Sequence, residues 1–266
     1  MDIFRHQRWF FSLILIASAF AACRVEDVRD DVVFTIEPEF TVDLFEQRDA
    51  SDGTPVFGLW VESMANYDCP GYGIEADMQV SDGKIDVTLL GVLRPTPCAG
   101  DSAPARQFLP IGNLPDGVYP FSLSLRDVVT NTGILTVANG HYELSLPAAQ
   151  GVDVHAFVLE HLPDGIIWGY AATPNEQSEP VADNFIFDLK TLSSESGLAP
   201  GYYSYFTVTG TGEVFFHKRI APVVVAQLFV RRLTATPNDL KLLLQNYRNS
   251  TPQPLNIKCW TTEGEL

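Results

Sequence analysis

Through the first half of the chain, apolar and polar residues alternate with a period of two. Segments 32–45 (interrupted by Pro38), 56–63, 76–80, 85–93, 107–111, 118–125, 133–137 and 142–146 each read as a strand. Turn residues separate them: Ser81-Asp82-Gly83, Leu114-Pro115-Asp116-Gly117, Thr130-Asn131-Thr132-Gly133 and Asn139-Gly140. Asn-Gly between alternating runs marks a hairpin, because both residues tolerate positive φ. Many short strands without an amphipathic helix predict a mainly β fold that begins with an antiparallel β-sandwich over residues 32–148.

The pattern changes near residues 147–151, and residues 149–266 mix two periods. Segments 154–159, 166–172, 223–231 and 255–261 read as strands, and 202–209 with 213–218 as a hairpin through Gly210-Thr211-Gly212. After Ser178-Glu179-Pro180, residues Val181, Phe185, Leu189 and Leu192 recur at helical spacing toward Ser194, although alternation over 184–189 leaves a strand open. Thr236-Pro237-Asn238-Asp239 is the strongest helix start: Thr236 as N-cap, Pro237 at N1, and Asp239 at N3, where its charge favours the helix N-terminus. Leu240, Leu243, Leu244 and Tyr247 form its apolar stripe, and Pro252 and Pro254 stop it. This order predicts an α+β domain, either ferredoxin-like with a split βαβ unit or a second sandwich decorated by a helix.

The N-terminus carries Arg5 and Arg8, an apolar run over 9–20, and Phe20-Ala21-Ala22-Cys23. That is the layout of a secretory signal, and the apolar run is shorter than the roughly 20 residues a membrane helix needs. The tetrapeptide resembles the lipobox of bacterial lipoproteins, with Phe20 where leucine is commoner. The resemblance implies a signal peptide over 1–22, lipidation of Cys23, an acidic tether over 23–31, and anchoring to the outer membrane on its periplasmic or surface side. A secreted eukaryotic protein with an ordinary Cys23 is the competing reading. Leu114-Pro115-Asp116-Gly117-Val118-Tyr119 is similar to the corner that precedes strand F in fibronectin type III and other immunoglobulin-like domains, with a spacing one residue different. That likeness implies an immunoglobulin-like sandwich in which the tyrosine hydroxyl bonds back to the turn.

Composition narrows the function classes. The chain has 266 residues and a net charge of −16, and loss of residues 1–22 removes Arg5, Arg8 and Asp2, which makes it about −17. Such a surface opposes nucleic acid, whose phosphates need a basic footprint, and opposes docking on anionic lipid through a polybasic patch. The expected partners are the membrane, through the lipid anchor, and a protein or glycan ligand. Cys69 and Cys98, both in turn-like settings, are expected to form a disulfide; Cys259 lies in an alternating segment and reads as a buried thiol.

No nucleophile elbow, metalloprotease helix, phosphate loop, EF-hand or Cys-x-x-Cys is present. No catalytic residue, metal or cofactor is therefore expected. His155 and His161 on one continuous strand would be spread over roughly 20 Å, too far for one ion. Asp82, Asp101, Asp164 and Glu179 are accounted for by turn chemistry. Aromatics crowd both faces of the 202–217 hairpin, and Tyr202, Tyr203, Tyr205 and Phe215 are the candidate ligand contacts. The alternative is that the Leu240–Tyr247 helix covers one face and a partner sheet the other. The expected function is a non-enzymatic binding or accessory module at the cell envelope; the second expectation is an envelope-polymer hydrolase with its site at the domain junction.

Overall fold

Inward-facing apolar positions of ten strands pack into one core between two sheets. They are seen in a computed structural model that describes residues 35–49, 53–173, 179–217, 220, 226–249 and 255–266. The signal segment, Cys23, the tether and positions 32–34 lie outside the described residues, as do Lys218 and residues 223–225 of the strand expected over 223–231. One sheet has the order β5-β2-β1-β9, built from β1 (Phe40–Arg48), β2 (Pro55–Tyr67), β5 (Ala103–Gly112) and β9 (Val152–Ala156). The facing sheet has the order β10-β8-β7-β6-β4-β3. Its strands are β3 (Gly73–Ser81), β4 (Lys84–Leu93), β6 (Gly117–Leu125), β7 (Val129–Ala138), β8 (His141–Ser145) and β10 (Val158–Glu160). Alternate residues Val42 and Leu44, Leu59 and Val61, Val87 and Leu89, Leu123 and Leu125 are all but inaccessible in that core.

Local chemistry explains the turns. Asp82 and Gly83, and likewise Asn139 and Gly140, take paired positive φ values of 50°, 71°, 54° and 77°, as two-residue hairpins require. The Tyr119 hydroxyl donates to the Pro115 carbonyl at 2.7 Å, closing the corner anticipated from its resemblance to immunoglobulin-like domains. Two pairs depart from the antiparallel pattern, since β1 runs parallel to β9 and β4 parallel to β6. The sandwich also continues past residues 147–151. Val152, Val154 and Leu159 bury into its core, and β9 and β10 satisfy the backbone edges of β1 and β8. Cys69 and Cys98 form the expected bridge, with Cα atoms 5.6 Å apart. It pins together the two places where the chain crosses between the sheets, after β2 and before β5.

The remaining chain builds a layered α+β unit. β11 (Ile166–Ala172), α1 (Glu179–Thr191), β12 (Ser193–Glu195), β16 (Ala226–Leu233), α2 (Pro237–Arg248) and β17 (Asn256–Thr261) follow one another, and β18 (Gly264–Glu265) completes the sheet. Its order is β12-β16-β11-β17-β18, with β11 antiparallel to both β16 and β17. The unit β16-α2-β17 therefore straddles β11. This is the ferredoxin-like βαββαβ arrangement, the first of the two options open from the sequence. Between β12 and β16 a small sheet is inserted: β13 (Gly201–Tyr202), β14 (Phe206–Val208) and β15 (Val214–Phe216).

Both faces of β11 are covered. Ile167 and Ala171 pack under the helices with Phe185, Leu189, Leu240 and Leu244, while Ile166 and Trp168 pack under the inserted sheet with Tyr203, Phe206 and Val208. Gly169 permits the close approach of β17: a Cβ there would lie 2.0 Å from the Lys258 carbonyl oxygen. The helix-or-strand ambiguity at 184–189 resolves as helix because Ala182, Phe185 and Leu189 share one buried face. α2 starts as its sequence implied. The Asp239 N–H donates to Thr236 Oγ1 at 3.2 Å, and the Thr236 N–H returns to Asp239 Oδ2 at 3.1 Å.

The disulfide spans 29 residues, and the chain-entropy relation gives such a closure about 3–4 kcal/mol. The Cys69→Ser, Cys98→Ser double variant is expected to lose that much unfolding free energy in a urea titration under oxidising conditions. A change below about 1 kcal/mol would show that the crossings hold without the bridge.

Candidate functional site

Strand parity divides the outer face of the β5-β2-β1-β9 sheet into rows. Gly58, Phe45 and Pro110 share one row, Trp60, Asp43 and Phe108 the next, and Glu62, Thr41 and Arg106 the third. Phe45, in the first row, is buried. Phe45 lies 5.6 Å from Trp60, 5.8 Å from Phe108 and 5.2 Å from Tyr205 between ring centroids, and Tyr205 in turn stacks 4.8 Å from Trp168. Gly58 makes room for this cluster, because a Cβ would fall 2.7 Å from the Phe108 ring. Beyond Trp60 the cover stops and the third row is open.

There a groove of about 550 Å³ runs over the bare sheet. Its floor is Thr41, Asp43, Trp60, Glu62 and Arg106. His155 of β9 and Asn66 and Pro104 stand around it, and Tyr202 and His217 of the inserted sheet make one wall. The polar groups are held in place. Arg106 Nε donates to Glu62 Oε2 at 2.8 Å. His155 lies 3.3 Å from Asp153 and 3.8 Å from Asp43. The Tyr202 and His217 rings stack at 4.3 Å. His217 Nδ1 faces the Ser204 carbonyl at 3.3 Å and Nε2 faces Thr207 Oγ1 at 3.0 Å. A neutral ring protonated on Nδ1 satisfies both.

The serine and threonine hydroxyls in the groove are spent on backbone. Ser63 Oγ accepts from the Ala105 N–H at 2.8 Å and donates to the Ala65 carbonyl at 2.7 Å, and Thr41 Oγ1 donates to the Glu62 carbonyl at 3.3 Å. The groove thus presents planar hydrogen-bonding groups and aromatic rings.

The inserted sheet is positioned through a buried polar cluster. Glu46, on the inward face of β1, is 4% exposed. Its backbone N–H donates to Ser204 Oγ at 2.7 Å, and its carboxylate lies 2.7 Å from His161 Nδ1. The hydrogen bond to Glu46 holds the His161 pKa above its ordinary 6.5. Burial, helped by the same carboxylate, pushes Tyr142 up to about 12. Gly140 at the β7–β8 turn accepts the His161 N–H at 2.7 Å, and Arg48 pairs with Asp164 alongside.

The four aromatic candidates are placed differently from one another. Tyr202 lines the groove. Tyr203 is 3% exposed and donates its hydroxyl to the Ala199 carbonyl at 3.0 Å. Tyr205 is wedged between Phe45 and Trp168. Phe215 is 57% exposed and stands outside the groove. Lipidation of Cys23 lies outside the described residues. Cys259 is buried outside any bridge, and burial pushes its thiol up to about 12, so it is unreactive at neutral pH. His155 and His161 go to separate places, one in the groove and one at Glu46. Asp68, Cys69 and Cys98 are the one cluster of metal-type ligands among the described residues. Its sulfurs are in the disulfide, and Asp68 binds Arg94 and Tyr72. No sequence motif announced Asp43, Trp60, Glu62, Asn66, Arg106 or His155, which converge only once the strand order is known.

Comparison of the chain with protein-family models, curated proteins and solved structures finds no match. No helix among the described residues is long and apolar enough to cross a membrane.

A raised His161 pKa means that the folded state binds this proton more tightly than the unfolded chain. The stabilisation is complete below the unfolded value of about 6.5 and is lost as pH rises through the folded one. The stability difference between wild type and His161→Gln, from urea unfolding, is therefore expected to shrink as pH rises above about 6.5. A difference that stays constant or grows over this rise would contradict the pairing.

Proposed function

We propose that this protein is an envelope lipoprotein, anchored through Cys23, whose groove on the β5-β2-β1-β9 sheet binds a glycan without chemically altering it. The observation that carries the reading is the groove itself. Sugar rings offer an apolar face and a rim of hydroxyls. Trp60 and Tyr202 supply ring surfaces, and Asp43, Glu62, Asn66 and Arg106 supply hydrogen-bonding groups within one concavity of about 550 Å³. The anchor and tether rest on the Phe20-Ala21-Ala22-Cys23 resemblance, and the acidic surface fits a soluble body held near a membrane.

One observation favours a hydrolase instead: Asp43, Glu62 and His155 come together where the sandwich meets the inserted sheet. Against it, Glu62 is engaged by Arg106.

The lipid-free protein is expected to bind a subset of a glycan array, and Arg106→Ala, Asn66→Ala and Tyr202→Ala each to weaken that binding about tenfold or more. Since Asn66 is exposed, its variant should unfold within about 0.5 kcal/mol of wild type. Turnover of a bound glycan, followed by chromatography of released products, would replace binding by hydrolysis. An array that retains nothing would remove the glycan reading.

A further inference from the structure

A second depression, of about 350 Å³, adjoins the groove, and Met64 lines both. Its other walls are Tyr67, Gly91 and Val92, with the Glu39–Arg126 ion pair at the rim. The local structure explains why it exists. Past Glu62 the pairing of β2 with β5 breaks until Asn66, and residues 64–66 are exposed there, with Met64 at 56%. Tyr67 is braced by Tyr72, their rings stacked 4.6 Å apart. On β4 a bulge sets Gly91 opposite the exposed Glu75 and Val92 opposite the buried Ile74, so Val92 turns its side chain inward beside the hollow.

We infer that the two depressions are consecutive subsites for one linear oligosaccharide, which crosses Met64 from the Trp60–Tyr202 groove to the Tyr67–Val92 hollow. This rests on the glycan reading of the first groove and adds that the ligand is a polymer chain bound along its length. The second subsite repeats the chemistry of the first at lower polarity. Tyr67, Val92 and the Met64 thioether offer surface to a sugar ring, and Glu39 and Arg126 offer an acceptor and a donor for hydroxyls. Because Met64 lines both hollows, occupancy of one places the next residues of a chain near the other with no further loss of translational freedom.

Tyr67→Ala provides the test, since Tyr67 lines the second hollow and not the first. Calorimetric titrations would use length-graded ladders of N-acetylglucosamine oligomers, β-glucans and mannans against wild type and Tyr67→Ala. For the ladder that binds, wild-type affinity is expected to rise about tenfold or more from the shortest to the longest oligomer. Tyr67→Ala is expected to keep the short-chain affinity and lose the rise. Should that variant fail to fold, hydrogen exchange on wild type decides: long oligomers should protect residues 64–67 and 91–92, and short ones should not. Affinity independent of length, a rise that survives Tyr67→Ala, or no protection at 91–92 would overturn the second subsite and leave the groove reading standing. Failure of every ladder to bind would overturn both.

Discussion

Phe45 points away from the sandwich core by strand parity, yet it is 4% exposed, because Tyr205 of the inserted sheet covers it. From there a continuous run of rings leads through Trp168 to Phe206 and Tyr203. One end of this run belongs to the sandwich, and Trp168 within it belongs to the ferredoxin-like sheet, so the cores of the two sheet systems are joined through it. Burying each such side chain contributes on the order of 1.5–3 kcal/mol. The contact also sets where the bare sheet begins. Trp60 touches Phe45 on one side and floors the groove on the other, and the chain that carries Tyr205 also places Tyr202 and His217 at the groove's edge.

Ring packing alone is weakly directional, and the buried polar cluster next to it supplies the direction. A carboxylate as enclosed as Glu46 is costly to desolvate. It is tolerated because His161 and Tyr142 bond to it, while its backbone N–H is taken by Ser204. Those partners come from β8, from the segment entering β11 and from the inserted sheet. A shift of the inserted sheet by one residue along β1 would strip the buried Glu46 N–H of its Ser204 partner, at a cost of about 1–3 kcal/mol. The hydrophobic contact thus supplies most of the attraction, and the polar cluster selects one register. The groove's wall inherits that precision.

Features written in adjacent residues were legible from the sequence. The alternation of the sandwich strands, the Asn139-Gly140 hairpin, the Tyr119 corner and the Thr236–Asp239 cap each depend on residues within one turn or strand, and each appears where local chemistry puts it. The Cys69–Cys98 pairing was readable because only three cysteines follow residue 23 and two of them sit in turns. The groove was not readable. Its lining comes from β1, β2, β5, β9 and the inserted sheet, in an order no local pattern encodes. Thr41 and Asp43, or Glu62 and Met64, look along their own strands like ordinary solvent-facing positions. The hairpin aromatics misled for the converse reason: composition showed that they crowd together, but which of them would be buried by Phe45 and Trp168 depends on a docking between distant segments.

The same docking explains why the groove falls on this sheet. A ferredoxin-like sheet packs its helices on one face and commonly leaves the other available, but here the inserted sheet closes that face over Ile166 and Trp168. The outer face of the six-stranded sheet offers Ser122, Ser124, Thr130 and Thr132 in neighbouring pairs, where Ser122 bonds to Asp86 and Ser124 to Thr130. At the edge of the covered aromatic row, by contrast, long planar side chains stand on the sheet beside a raised wall. Concavity there is a by-product of partial coverage: the inserted sheet is wide enough to bury Phe45 and too narrow to bury Glu62 and Arg106.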